Sequence, residues 1–420
     1  CAHGCARDGV PLTAGFHTGR LPSTAMTTDA DSGFPDALVT DVLVTDVLVI
    51  GGGIAGASLA FELSSDRTVC LLEGESTLAM HSTGRSAAMF LETYGNHVIR
   101  GLTTASRAFL VDPPDMVHGR VMTPRPFVQF ARPGRGDALA EMFATLRTLS
   151  PDARLLDTAE AVDRAPLLRP TAVEAAIVEP GALDMDVDAL YQGFLRGARR
   201  RGCTVRTGAR VVAIDRVGEQ WRVVLSTGDA VVTAVVVNAA GAWADDVADL
   251  AGVPRIGLQP RRRTIAVMDA PPEIADIHHP LISDMDESFY IKPEGIRLLC
   301  SPADETPCPP GDAKPDDLEI ARALDEIAEA TVMTSRRVRS SWAGLRSFVA
   351  DRTPVVGFDS NVEGFFWCAG QGGYGIQTCA ALARVGAALV RGEVLPADVT
   401  SRGVGAADLA PGRAALRTKD

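Results

Sequence analysis

The apolar positions of this chain change period along its length. From Val47 to Ile50 they run unbroken behind Asp46, as in a strand covered on both faces. Gly51-Gly52-Gly53-Ile54-Ala55-Gly56 follows, then a helical stretch, then a second apolar run, Val69 to Leu72, closed by Glu73. This is a βαβ unit with G-x-G-x-x-G in its first turn and an acidic residue about 20 positions on, the fingerprint of a dinucleotide site. Gly51 allows the tight turn, Gly53 lets a pyrophosphate approach the backbone, and Gly56 lets the helix pack on the sheet. The helix N-terminus offers free N–H groups to phosphates, and Glu73 accepts from a ribose hydroxyl.

Beyond Glu73 the pattern predicts a loop, His81-Ser-Thr-Gly-Arg-Ser-Ala-Ala, then helix through about Leu110, broken by Pro113-Pro114. Residues 118–132 read as extended, and 137–149 and 158–165 as helices. Asp186-Val-Asp188 caps a helix over 189–201, which Gly202 ends. Strands are expected at 204–206, 210–216, 221–226 and 230–238, the last turning into a helix through Asn238–Trp243. Residues 256–300 are strand-like, 318–334 helical, 342–348 extended, and 364–390 strand, glycine turn and long helix. The same mode therefore returns near 47–73, 203–243 and 353–390. That recurrence predicts an α/β nucleotide domain assembled from separated pieces (44–110, 185–245 and 340–398) with a second domain inserted (111–184 and 246–339) and a tail over 399–420. Residues 1–43 are expected to be a disordered leader. Its Cys1-Ala2-His3-Gly4-Cys5 reads as part of that leader rather than as a metal site. The motif LVTDV occurs twice, at 38–42 and 43–47, and only the second copy is needed to enter the glycine turn.

Charge and composition narrow the partners. The formal net charge of −12 and the absence of a basic stripe argue against nucleic acid. No run approaches the roughly 20 apolar residues of a membrane span, and no secretory signal is read. Eight scattered cysteines suit reduced cytosolic thiols, so a cytoplasmic protein is expected, with peripheral attachment to a membrane left open.

Taken in order, VLVIGGGIAGAS, HSTGRSAAM, LQPRRR, DESFYIKP, WAGLRSFVADRTPVVG and EGFFWCAGQGGYGIQT resemble the D-amino-acid oxidase family of FAD-dependent amine oxidoreductases. The bacterial D-arginine dehydrogenase-type branch is the nearest likeness, and it covers about residues 46–395. The resemblance implies a glutathione-reductase-type, Rossmann-like FAD domain with an α+β substrate domain on a mixed or antiparallel sheet. It implies that Gly51, Gly53, Ala55, Gly56, Glu73 and Gly74 hold the ADP half of FAD, with Val212 meeting the adenine through its backbone. The loop Ser82, Thr83, Gly84, Arg85, Ser86, Ala87, Ala88 and Met89 would run from pyrophosphate to flavin ring, with Arg85 offsetting phosphate charge. Gly241 and the second glycine turn, Gly372, Gly373, Tyr374, Gly375, Ile376 and Gln377, would complete the cofactor site. Arg346 and Tyr290 would bind the substrate carboxylate, with Tyr94 and Arg263 facing the same site. The expected reaction is hydride transfer from the α-carbon of a D-amino acid to flavin, then hydrolysis to 2-oxo acid and ammonia.

Two departures from the branch carry predictions. Members selective for D-arginine have a His matching Met89 and a carboxylate matching Phe127. Here both are apolar, so the pocket of Met89, Phe127 and Gly373 is expected to take a neutral or apolar side chain. Relatives that tether FAD do so through a Cys near the GLRSF segment. Here Ser347 stands there, so non-covalent FAD is expected. A sarcosine- or glycine-oxidase-like enzyme, a flavin 2-hydroxy acid dehydrogenase and a flavoprotein without turnover remain alternatives. The electron acceptor, quinone or O2, is left open.

Overall fold

The computed structural model describes residues 41–271 and 279–416. The Cys1–Cys5 segment and most of the expected leader lie outside the described residues. Two residues assigned to that leader do not belong to it. Val42 and Leu43 open the first strand, Val42–Ile50, and pair in parallel with Ala230 and Val231. The second LVTDV copy is therefore sheet throughout.

The first sheet has a parallel centre. Across it lie Thr204–Arg206, Val69–Leu72, Val42–Ile50, Ala230–Asn238, Phe365–Ala369 and Val355–Phe358, with only the last antiparallel to its neighbour. Ala230–Asn238 divides its outer edge. Its first half takes Gln220–Leu225 antiparallel, and its second half takes Phe365–Ala369. Val69–Leu72 and Phe365–Ala369 are buried at every position, as an unbroken apolar run in a covered parallel sheet requires. Helices Ile54–Leu63, Val187–Arg200 and Gly375–Arg391 bury their apolar residues in one core with that sheet. Trp221, Val223, Val247 and Trp367 belong to a second core.

The second sheet is mixed. Its order is Val338–Phe348, Gln259–Asp269, Arg297–Ser301, Tyr290–Glu294, Leu281–Asp284, Phe127–Ala131, Ala175–Glu179 and Arg154–Asp157. All contacts are antiparallel except that of Leu281–Asp284 with Phe127–Ala131. A small sheet of Met89–Phe90, Leu183–Met185 and Met122–Pro124 stands apart from both.

The expected fold class is the observed one, but the pattern misses local detail. The stretch after Ala88 is not continuous helix. Met89 pairs with Asp184, and the Leu91 N–H donates to the Gln377 side chain at 3.2 Å. Helix begins only at His97, where the Asn96 side chain accepts from the Ile99 N–H. Strands 154–157, 175–179 and 183–185 are short and flanked by turns, so periodicity alone does not separate them from loop.

Candidate active site

The first glycine turn is built by exclusion. Gly51 has φ +111°, and a Cβ on it would fall 2.3 Å from the Ala239 carbonyl oxygen. A Cβ on Gly56 would fall 1.9 Å from the Gly51 carbonyl oxygen, so the helix can meet the turn only without a side chain there. Gly53 differs: an added Cβ would touch only Thr83 Oγ1, at 3.2 Å, so its bareness serves the open side of the turn. Thr83 Oγ1 accepts from the Ile54 N–H at 3.0 Å and holds the 81–88 loop over the helix start. The Glu73 carboxylate accepts from Gly52 N–H at 3.0 Å and Glu75 N–H at 2.9 Å. Each of its oxygens keeps a further lone pair for a hydroxyl donor. The Tyr191 hydroxyl donates to the Gly52 carbonyl from beneath, and burial raises its pKa.

This turn lines a cavity of about 970 Å³, at the upper end of ligand-pocket sizes. Gly51, Gly53, Ala55, Glu73, Gly74, Ser82, Thr83, Arg85, Ser86, Ala87, Ala88 and Met89 line it, as do Gly241, Gly372, Gly373, Gly375, Ile376 and Gln377. Four expected cofactor residues are outside the lining. Gly56 and Gly84 act through close packing; a Cβ on Gly84 would fall 2.4 Å from the Ala79 carbonyl oxygen. Tyr374 is buried edge-on against Tyr94, with ring centroids 5.0 Å apart. Val212 lies at a register shift between Val211 and Ala213 with its side chain 47% exposed, and its neighbour Val211 lines the cavity. The Arg85 guanidinium bonds the carbonyls of Met80, Ala313 and Ala343 and the Asp312 carboxylate at 2.6 Å. These bonds tie the loop to the second sheet, and Arg85 also lines the cavity.

A cationic cluster lines the same cavity. Arg263 faces Gly344, and Arg346 faces Arg261, on neighbouring antiparallel strands. The guanidinium of Arg346 lies against Gly373, where a Cβ would fall 2.9 Å from its central carbon. Tyr94 and Tyr290 both lie within electrostatic reach of both arginines. Arg263 pairs with Glu305 at 3.3 Å, but Glu305 also holds Arg352 at 2.9 Å. One carboxylate thus pairs with two guanidinium groups and lies within electrostatic reach of a third, Arg346. Burial would raise the pKa of Glu305, yet Arg352 and Arg263 hold it below its ordinary value. Burial and the neighbouring Arg346 lower the pKa of Arg263. The cluster carries surplus positive charge in a confined space, the condition for binding a carboxylate.

Two orphaned atoms test whether a cofactor and substrate fit this cavity. His81 Nδ1, on the 81–88 loop, and Arg263 Nε, in the cationic cluster, are buried without a partner among the described residues. Buried polar groups ordinarily have one. Both residues line the cavity, one on the loop beside the glycine turn and one in the cationic cluster. The donor set fits an elongated dinucleotide with an anionic substrate beyond it.

The family described as "DAO: FAD dependent oxidoreductase" matches residues 46–389. This chain belongs to it. FAD is the cofactor of this DAO-family FAD-dependent oxidoreductase. It is 30% identical over 174 residues to FAD-dependent oxidoreductase domain-containing protein 1 of Bos taurus, covering 37% of this chain and 35% of that protein. It is 24% identical over 352 residues to mitochondrial dimethylglycine dehydrogenase of Mus musculus, covering 78% of this chain and 40% of that protein. The chain thus spans well under half the length of these two relatives. The crystal structure of glycine oxidase from Geobacillus kaustophilus superposes with a TM-score of 0.72 at 21% identity, covering 84% of this chain and 95% of that one. No helix among the described residues is long and apolar enough to cross a membrane.

The second sheet adds a lining residue that the sequence motifs do not contain. Glu179 ends the strand Ala175–Glu179, pairs with Phe127 and is buried. Both its oxygens accept from Thr93 Oγ1, at 2.9 and 3.1 Å. Burial pushes its carboxyl up to about 7, opposed only in part by the Thr93 bond. Glu179 thus places a carboxyl beside Phe127 in the cavity lining, where the sequence reading names only the apolar Met89 and Phe127. No motif signals Glu179; only the strand pairing places it beside Phe127.

Proposed function

We propose that this DAO-family enzyme oxidises a D-amino acid at its amine-bearing carbon, giving the 2-oxo acid and ammonia after hydrolysis. The observation that carries this reading is the cluster of Arg346, Arg263, Tyr94 and Tyr290 in the lining of the same cavity as the glycine turn. Arg346 receives the carboxylate through its planar fork, and the two tyrosine hydroxyls donate beside it. Arg263 adds charge from the adjacent strand. Met89 and Phe127 form an apolar wall, which supports a neutral or apolar stem on the substrate. When bound, FAD supplies the hydride acceptor. The helix Gly375–Arg391 begins at the cavity, so its positive dipole end favours negative charge there. The protein's part is to bind the carboxylate, orient the α-carbon and exclude water. Ser347 occupies the position where a cysteine tether would stand, so FAD is held non-covalently and is released into the supernatant on acid precipitation.

The likeness to proteins named dimethylglycine dehydrogenase and glycine oxidase supports a second reading, an N-substituted glycine as substrate. The same carboxylate cluster would serve it. Anaerobic mixing of the FAD-loaded protein with D-norleucine, L-norleucine, sarcosine and dimethylglycine separates the two. Bleaching of the flavin by D-norleucine is expected. Bleaching by the N-methyl glycines alone would replace the first reading with the second.

A further inference from the structure

We propose that the substrate chamber holds a second recognition point, a subsite for a terminal ammonium group formed by Glu179 with Thr93 beside it. This rests on the reading of Arg346 as the carboxylate anchor and extends it to the far end of the substrate.

Three residues on one face of the second sheet define the place. Glu179 stands directly opposite Phe127 in antiparallel register, and Phe127 stands opposite Leu281 in parallel register. Side chains at paired positions share a face, and all three residues line the cavity. Thr93 and Met89 line it too.

The carboxylate is 4% exposed and has one hydroxyl donor and no cation among the described residues. The charged residues on its flanking elements are otherwise engaged. Glu92 pairs with Arg107, Arg125 with Asp184, and Arg154 with Glu160. Burying an uncompensated carboxylate is costly, and a cationic ligand would remove that cost. A carboxyl poised near neutral pH at a cavity wall is also where functional groups concentrate. The chamber thus offers cations for a carboxylate, an apolar wall of Met89, Phe127 and Leu281 for a hydrocarbon stem, and an acid for a terminal ammonium. An ω-amino D-amino acid of the lysine class has all three parts.

The test is calorimetric titration of the FAD-loaded protein with 6-aminohexanoate and with hexanoate. These share the carboxylate and stem and differ only in the terminal ammonium. At about pH 8 we expect 6-aminohexanoate to bind at least roughly tenfold more tightly. Glu179→Gln should reduce that ratio to within about threefold. Should that variant fail to fold, the native protein at about pH 5.5 gives the same answer, because protonation of Glu179 abolishes the preference while the ligand amine stays charged. Equal binding at pH 8, or a preference that survives both changes, overturns the subsite and leaves the carboxylate reading standing. Binding of neither ligand overturns both.

Discussion

Replacing Glu179 by glutamine removes a titratable group whose native environment resists ionisation, and the effect on stability has a definite sign. Burial moves the carboxyl from an ordinary value of 4.5 to about 7. Between those values the native state binds more protons than the unfolded chain, so stability falls as pH rises through the window. A shift of that size corresponds to about 3 kcal/mol, present below about pH 4.5 and lost by about pH 7. Glu179 is largely buried, so solvent screening takes little from this figure. For a chain of 420 residues, about 2.1 cal/mol/K per residue gives an unfolding entropy of about 0.9 kcal/mol/K. The stability difference then reads as about 3 °C in melting temperature.

Glutamine keeps an acceptor for Thr93 but adds a buried donor, which costs about 1–3 kcal/mol independently of pH. The readout is therefore the change in the native-minus-variant difference, not the difference itself. Melting of both FAD-loaded proteins followed by flavin fluorescence at about pH 5 and about pH 8.5 measures it. The native protein should lose about 3 °C relative to the variant across that interval. An unchanged difference would mean that Glu179 is ionised in the native state throughout, and the argument from its burial would fail.

Other perturbations follow from the same geometry. Arg346→Lys keeps the charge and loses the fork, so kcat/KM for D-norleucine should fall roughly 30- to 150-fold, mostly through KM, with FAD content unchanged. A change under threefold, read from anaerobic flavin reduction, would remove Arg346 from the carboxylate site. Gly56→Ala places a methyl group where the Gly51 carbonyl oxygen stands 1.9 Å away. The flavin-to-protein absorbance ratio should collapse, and a native ratio would refute the packing role. Asp312→Ala should loosen the 81–88 loop by leaving Arg85 without its carboxylate, weakening FAD retention several-fold by ultrafiltration. Unaltered retention would show that the backbone bonds of Arg85 suffice.

The parts legible in the sequence are those whose cause is local. Gly51 and Gly56 announce themselves because a turn and a helix approach within a few residues forbid side chains there. The buried runs Val69–Leu72 and Phe365–Ala369 announce the parallel sheet for the same reason. The partners of Arg85 are not legible in the sequence because its motif is local while they are not. Asp312 and Ala343, more than 220 residues away, decide where its guanidinium goes. The outward turn of the Val212 side chain follows from a one-residue register shift that composition does not show. Glu179 is the extreme case. Nothing in its neighbourhood along the chain marks it, and its meaning comes from Phe127 across one strand and Thr93 from a separate segment. An apolar residue at 127 therefore does not make the chamber apolar. Glu179 stands on the next strand on the same face, and in the proposed subsite the substrate's side chain answers to that pair rather than to either position alone.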